Sequence, residues 1–259
     1  MTATVVAQQL MPSFLNSIGE GWLSPKYLGW LWDGWLMTLW ASLVVTLGAL
    51  AFGTLIAAVR ESGRTVWVAA TEVYLSVFRN TPLLVQLFFW YFGVPAVLPE
   101  GVLPWLNEVH ALTVAGFEIL RWPSFEFLAA IVGLIFYSSA YISEDIRSGL
   151  RGVPASQRAA AQALGFGPVQ VLRYVVLPQA MRIATPALVG QVMNIVKNTS
   201  LGMAVGLLEL SYRARQAEAE SWKTFQVYGV ATVLYIVAIA LLEVMGHWLQ
   251  RRQSRSLVR

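Results

Sequence analysis

The sequence predicts an all-helical integral membrane protein with five transmembrane helices, on three observations. Of its 259 residues, 57% are hydrophobic and only 12% are charged, whereas soluble domains carry roughly 25% charged and about 45–50% apolar residues. The apolar residues gather into windows long enough to cross a hydrocarbon core of about 30 Å. The basic residues collect on one side of those windows. The same features argue against a soluble enzyme or a nucleic-acid binder. The net charge is +4 and the isoelectric point about 9.5, but no run of Lys and Arg forms a DNA-binding stripe. The absence of cysteine rules out a disulfide framework and a thiolate metal site.

Residues 1–24 lack the positive start and small-residue cleavage site of a signal peptide, so they read as mature chain, with the first span as insertion signal. That span covers 29–59, apolar apart from Asp33, and ends at Arg60, Glu61 and Arg64. From Thr65 to Leu98 a single straight helix would be about 50 Å long, too long for one crossing and too short for two. Asn80-Thr81-Pro82 is where it should break, with Thr81 capping a new helix and Pro82 in its first turn. Residues 66–78 then form an amphipathic elbow at the membrane surface, with Arg79 among the headgroups, and 82–98 the second span.

Two prolines and the interruptions Glu108, His110 and Glu118 mark Pro99 to Trp122 as an excursion outside the bilayer, with a re-entrant piece as the alternative. The third, fourth and fifth spans cover 123–142, 186–208 and 225–249. An odd number of spans puts the termini on opposite sides. Twelve arginines (60, 64, 79, 147, 151, 158, 173, 182, 251, 252, 255 and 259) fall on one face, against Lys26, Arg121, Arg213, Arg215 and Lys223 on the other. The positive-inside rule then puts the N-terminus outside, the C-terminus in the cytoplasm and the long loop 143–185 on the cytoplasmic side.

That loop has a grammar of its own. Ser156 can cap an alanine-rich helix over 157–164 that Gly165 ends, and a second short helix should run to Val176 before Pro178 stops it. The plainest reading is an amphipathic surface helix. A more specific one comes from the order of the residues. Arg151, Val153-Pro154, Gln157, Arg158, Ala159-Ala160, Gln162, Gly165 and then Val175-x-Leu177-Pro178-Gln179 resemble the cytoplasmic signature of ABC-importer permeases. Phe78-Arg79-Asn80-Thr81-Pro82-Leu83-Leu84-Val85-Gln86 and Lys197-Asn198-Thr199-Ser200 narrow the resemblance to polar amino-acid permeases, and Tyr27 to Trp32 make it most similar to the glutamate/aspartate type.

The resemblance, which covers about 29–250, implies a type I ABC-importer fold with the 143–185 loop as its coupling loop. It implies a periplasmic segment 1–28, a permease domain 29–250 and a cytoplasmic tail 251–259 in a bacterial inner membrane. It also implies a second permease subunit, similar or identical, two ATPase subunits that bring ATP and Mg, and a periplasmic solute-binding protein. The family signature opens with Glu where this chain has Ala159, so Gln157, Arg158 or Gln162, or the partner permease, must supply the polar contact. No phosphate-binding loop is present. None of the three lysines, Lys26, Lys197 and Lys223, follows a glycine, so no catalytic residue, metal or cofactor is expected in this chain.

Polar residues inside the spans are the pathway candidates: Thr81, Pro82, Gln86, Lys197, Asn198, Thr199 and Ser200. Lys197 lies about 16 Å along its span from Pro186, where an unpaired ammonium is expensive. It either meets a substrate carboxylate or pairs with backbone carbonyls or an acid such as Glu209. Gln86 either lines the path or bonds a neighbouring helix. Trp30, Trp32 and Trp35 read as an interfacial belt, and Glu243 and His247 as an i,i+4 pair rather than a metal site. An ion-coupled transporter would show repeats of the Thr81-Pro82 break, and none is found. A membrane enzyme would need convergent acid, base or metal groups, and none appear.

Overall fold

The computed structural model describes residues 22–108, 111–114, 117–121 and 124–255. Residues 1–21, the outer part of the N-terminal segment, and 256–259 of the tail lie outside the described residues, as do His110, Trp122 and Pro123.

Helix α1 runs from Pro25 to Glu61. Pro25 suits a first helical turn, and no further proline interrupts its 37 residues, about 55 Å at 1.5 Å per residue. It is the spine of the molecule because its buried face is small: Gly34, Ala41, Ser42, Ala49, Gly53 and Ala57 recur at helical spacing and let other helices approach closely. The elbow forms as α2 (Thr65–Asn80), with only Leu75 fully buried. The chain breaks at Thr81-Pro82 and resumes as α3 (Leu83–Phe88), which widens to a π-helix over Phe89–Gly93 and tightens to a 3-10 turn over Val94–Val97.

The break differs from expectation in its chemistry. Thr81 does not cap α3. Its hydroxyl donates back to Val77 O in the last turn of α2, and Pro82 stands at the N-cap with no side-chain cap. The open carbonyls across the break are taken by Gln86, whose Nε2 donates to Phe78 O and Thr81 O, both at 3.0 Å. Gln86 is therefore a buried clamp on the corner. Gln86→Leu should leave both carbonyls open and lower stability by about 1–3 kcal/mol, read as a fall in Tm of the detergent-purified protein; an unchanged Tm would remove the clamp.

The segment after α3 holds α4 (Val102–Asn107) and an antiparallel hairpin of β1 (Ala111–Val114) and β2 (Phe117–Arg121), the one departure from helix among the described residues. An open two-stranded hairpin exposes unpaired backbone groups that lipid cannot satisfy.

Helix α5 (Phe125–Arg151) starts at a Ser124 cap accepting from Phe127 N and runs nine residues past the expected third span. After the loop helix α6 (Ala155–Ala163), a turn at Pro168–Gln170 and a π-helix over Val171–Val176 lead without a stop into α7 (Leu177–Asn198). Pro178 therefore does not end a helix. It sits in the first turn of the α-helical stretch, where its missing N–H is tolerated after the widened π turn. A 3-10 turn (Thr199–Val205) follows, then α8 (Leu210–Ser221) and α9 (Thr224–Arg255). Helix α8 falls where a loop was expected. Its own pattern is polar, and it is held by Leu210, Ala214 and Ala217 against Leu31 of α1 and Val227 of α9.

Two cores result. One joins α1, α3, α5 and the α7 end through Val45, Leu87, Leu134, Ile142, Ile195 and Val205. The other joins α1, α8 and α9. By length and apolarity α1, α5 and the Thr224–Arg252 part of α9 suffice to cross a membrane, while Leu83–Val97 is shorter.

Candidate functional site

The 143–185 loop is built on a close crossing. A Cβ on Gly149 would stand 2.5 Å from Ala180 O, so only glycine lets the end of α5 lie on the start of α7. The chain turns at Gly152, buries Val153 and enters α6 with Pro154 as N-cap, two residues earlier than the Ser156 cap expected. Gly165, at φ +86°, closes the helix, with its N–H on Gln162 O and Phe166 N–H on Ala161 O; the left-handed turn favours glycine.

Of α6 only Ala161 is buried, seated with Val153, Val171, Val176 and Ala180 in a small core of its own. Gln157, Ala159, Ala160 and Gln162 are exposed. The Arg158 guanidinium donates to Leu150 O at 3.0 Å, so this arginine fastens α6 to the end of α5. Arg151 is exposed at that same end, and Leu177 and Pro178 stand exposed at the start of α7. Large apolar side chains flank the helix in the open: Leu164, Val169 and Tyr174 are 79%, 76% and 62% exposed. A groove of about 530 Å³ runs beneath, between Ala57 and Glu61 of α1, Leu150 of α5, and Arg158 and Gln162 of α6. The result is a platform of alanines and exposed apolar side chains, the kind of surface patch that marks a candidate interaction site.

A charge network absent from the sequence reading braces the same end of the bundle. Arg60, its side chain 5% exposed, bonds Glu72 of α2 and Glu144 of α5. Arg79 lies 3.8 Å from Glu144, and Arg147 pairs with Glu61 at 3.0 Å. Tyr74 of the elbow donates to Phe136 O at 2.5 Å, and burial pushes its hydroxyl up to about 12, so it stays a donor. No spacing rule predicts these pairs, since they join residues 12 to 86 positions apart.

The pathway candidates resolve into two sets flanking one core, to which Leu83, Leu87 and Ile195 all belong. Thr81, Pro82 and Gln86 form the corner described above. At the other, Thr199 Oγ1 donates to Val196 O at 2.7 Å and Ser200 Oγ to Lys197 O at 2.6 Å, so both hydroxyls close the last turn of α7. Asn198 is half-buried. Lys197 is exposed on the chain, and its ammonium has no partner among the described residues.

The acid expected for it is engaged elsewhere. Buried Glu209 caps α8 through Tyr212 N at 2.9 Å, and accepts from Tyr235 OH at 2.7 Å and from Thr38 at 3.4 Å. Two bland readings also change. Trp35 Nε1 donates to Leu234 O at 3.0 Å and so ties α1 to α9, and His247 Nδ1 meets the backbone oxygen of Glu243, not its carboxylate. Among the described residues no three His, Asp or Glu side chains converge as metal ligands.

An exposed alanine helix between two long apolar helices is the arrangement that the loop signature implies, and residues 49–259 match the family described as "Binding-protein-dependent transport system inner membrane component". The chain belongs to this family. Among its relatives, the glutamate/aspartate import permease protein GltJ of Escherichia coli (strain K12) is 32% identical over 174 residues, 66% of each chain. The arginine transport system permease protein ArtQ of Bacillus subtilis (strain 168) is 32% identical over 187 residues, 72% of this chain and 74% of that one. The fold matches the crystal structure of an amino acid ABC transporter with histidines at a TM-score of 0.73 and 26% identity, over 88% of this chain and 95% of that chain. The permease is thus an inner-membrane, multi-pass ABC-importer component with the type I fold.

Proposed function

We propose that this permease carries glutamate or aspartate into the cell, driven by ATP hydrolysed on partner subunits. The observation that carries the reading is the platform of α6: a helix whose outward residues are alanine and glutamine, pinned from behind by Arg158 and Ala161. In this reading it seats in a groove on an ATPase subunit. Arg151, Pro154, Gln157, Arg158, Ala159, Ala160, Gln162, Gly165, Leu177 and Pro178 form or hold the contact. Arg158 is already engaged, which leaves Gln157 and Gln162 to stand in for the acid that Ala159 lacks.

Five spans enclose too little for a zwitterion alone, so a second permease chain, similar or identical, faces this one across the pathway. ATP closes two ATPase subunits, their grooves carry the α6 helices together, and the spans rock outward to receive substrate from a periplasmic binding protein. Hydrolysis restores the inward state. Docking must therefore survive both states while favouring a different arrangement in each. The arginine bias supports an orientation with the α6 end and the C-terminus in the cytoplasm, the N-terminus outside, and the elbow α2 at the inner membrane surface.

Lys197 is the pathway residue with the most direct chemistry. An exposed ammonium in the last turn of α7, without a partner among the described residues, faces a cavity or a partner where it lies within the membrane, and an anionic substrate supplies the missing charge. Lys197→Met should lower glutamate uptake by the reconstituted importer roughly tenfold, the worth of one charge-assisted hydrogen bond, while Lys197→Arg retains part of it. Unchanged uptake in Lys197→Met would remove Lys197 from the pathway. Competition decides the substrate: excess unlabelled aspartate should suppress glutamate uptake, whereas suppression by glutamine alone would favour a permease for that amino acid.

A further inference from the structure

A polar pocket of about 370 Å³ lies between the elbow and the bundle, just before the Thr81-Pro82 corner, and none of the coupling or pathway candidates is in its lining. Two arginines, Arg60 and Arg79, and two glutamates, Glu72 and Glu144, line it, so its formal charge is zero. The two arginines are not alike. Arg60 is buried and bonded to both glutamates. Arg79 has a side chain 43% exposed and only the 3.8 Å contact with Glu144, with its guanidinium over the Tyr141 ring at 5.6 Å.

Beside Arg79, the Ser76 hydroxyl is engaged only as acceptor of a 3.4 Å bond from Asn80, which leaves its proton and one Asn80 N–H to spare. These three donors fall at i, i+3 and i+4 on one face of α2. One turn earlier, about 6 Å along the axis, Glu72 uses a single oxygen for Arg60 and has a side chain 53% exposed. The pocket wall thus offers three donors, the Arg79 guanidinium among them, and, a turn away, a spare carboxylate oxygen. On the adjoining face of α2, Val66, Val73 and Val77 stand 78%, 64% and 53% exposed.

We propose that the pocket holds the headgroup of a membrane phospholipid bearing a primary ammonium. Its phosphodiester sits on Arg79, Ser76 and Asn80, its ammonium on Glu72, and its acyl chains along the Val66, Val73 and Val77 face. A net-neutral headgroup leaves the neutral pocket neutral, whereas an anionic one brings a charge that only Arg79 is free to meet. The assignment rests on the placement of α2 at the membrane surface proposed above.

The test uses the detergent-purified importer complex titrated with dioleoylphosphatidylethanolamine, dioleoylphosphatidylglycerol or inorganic phosphate, with bound lipid read by native mass spectrometry. The ethanolamine lipid should be retained in preference to the glycerol lipid. Arg79→Gln should weaken that retention roughly tenfold, and Ser76→Ala, which disturbs no ion pair, should also weaken it measurably. Equal retention by wild type and both variants overturns the proposal, as does displacement of the lipid by inorganic phosphate at matched concentration, which would make this a free-anion site. A fluorophore on Val77→Cys, in a chain with no cysteine of its own, reports the placement separately through quenching by spin-labelled lipid. Quenching without lipid retention overturns the headgroup site and leaves the placement standing; no quenching removes both.

Discussion

Ala160→Asp will detach the ATPase subunits from the permease and abolish uptake without unfolding the chain. Ala160 is exposed on α6, so aspartate there is hydrated in the free permease and leaves the fold intact. In the docked state the same carboxylate is trapped in a groove shaped for alanine. An uncompensated buried charge costs about 3–5 kcal/mol, which weakens docking roughly a hundredfold or more. Pull-down of the ATPase subunit should fall to background, while the Tm of the purified permease stays at the wild-type value. Ala159→Glu should act in the opposite sense and tighten docking by restoring the acid of the family signature. Undiminished pull-down by Ala160→Asp would sink the assignment of α6.

The second large effect lies at Arg60 and falls on stability. Arg60→Met leaves Glu72 without its cation and Glu144 with only Arg79, 3.8 Å away. Breaking a buried pair costs about 3–5 kcal/mol, but the Glu72 side chain is 53% exposed and can rehydrate, which brings the expected loss to about 2–3 kcal/mol. The variant should show a clearly lower Tm in detergent and faster proteolysis of the elbow. Combining it with Glu144→Met should recover part of the loss, because the partner charge is then removed as well. Glu72→Gln alone should cost less than about 1 kcal/mol, the range of exposed pairs. A Tm unchanged in Arg60→Met would mean that the elbow is held by Tyr74 and Leu75 alone.

Local signals in the sequence carried most of what concerns the membrane and the loop. Apolar windows located α1, α5 and α9, because a helix in lipid must be apolar over its whole length. Pro82 located the break after α2, and the run from Pro154 to Gly165 located α6 to within two residues, because proline and glycine constrain the backbone wherever they stand.

Tertiary partners decided what was missed. Thr81 carries the residue type of a cap, yet a nearer open carbonyl at Val77 claims its hydroxyl, and Gln86 takes the role of closing the corner. Pro178 reads as a stop, but the π turn before it removes the clash. Helix α8 has no apolar stripe wide enough to announce itself; it is seen only once Ala214 and Ala217 meet the small face of α1. The Arg60 network shows the same limit at the level of charge. The arginines on the α6 end were read as a sidedness signal, and three of them, Arg60, Arg79 and Arg147, also lie against glutamates that hold the helices at their stations.

The most direct test of the central claim, that this chain is the membrane half of an ATP-coupled importer and is coupled through α6, is uptake of labelled glutamate by proteoliposomes. These would contain the permease, its partner permease and ATPase subunits, with binding protein outside and ATP inside. Uptake should require ATP and both sets of subunits, and should vanish in Ala160→Asp. Uptake driven by a proton or sodium gradient, with the ATPase subunits left out, would contradict it.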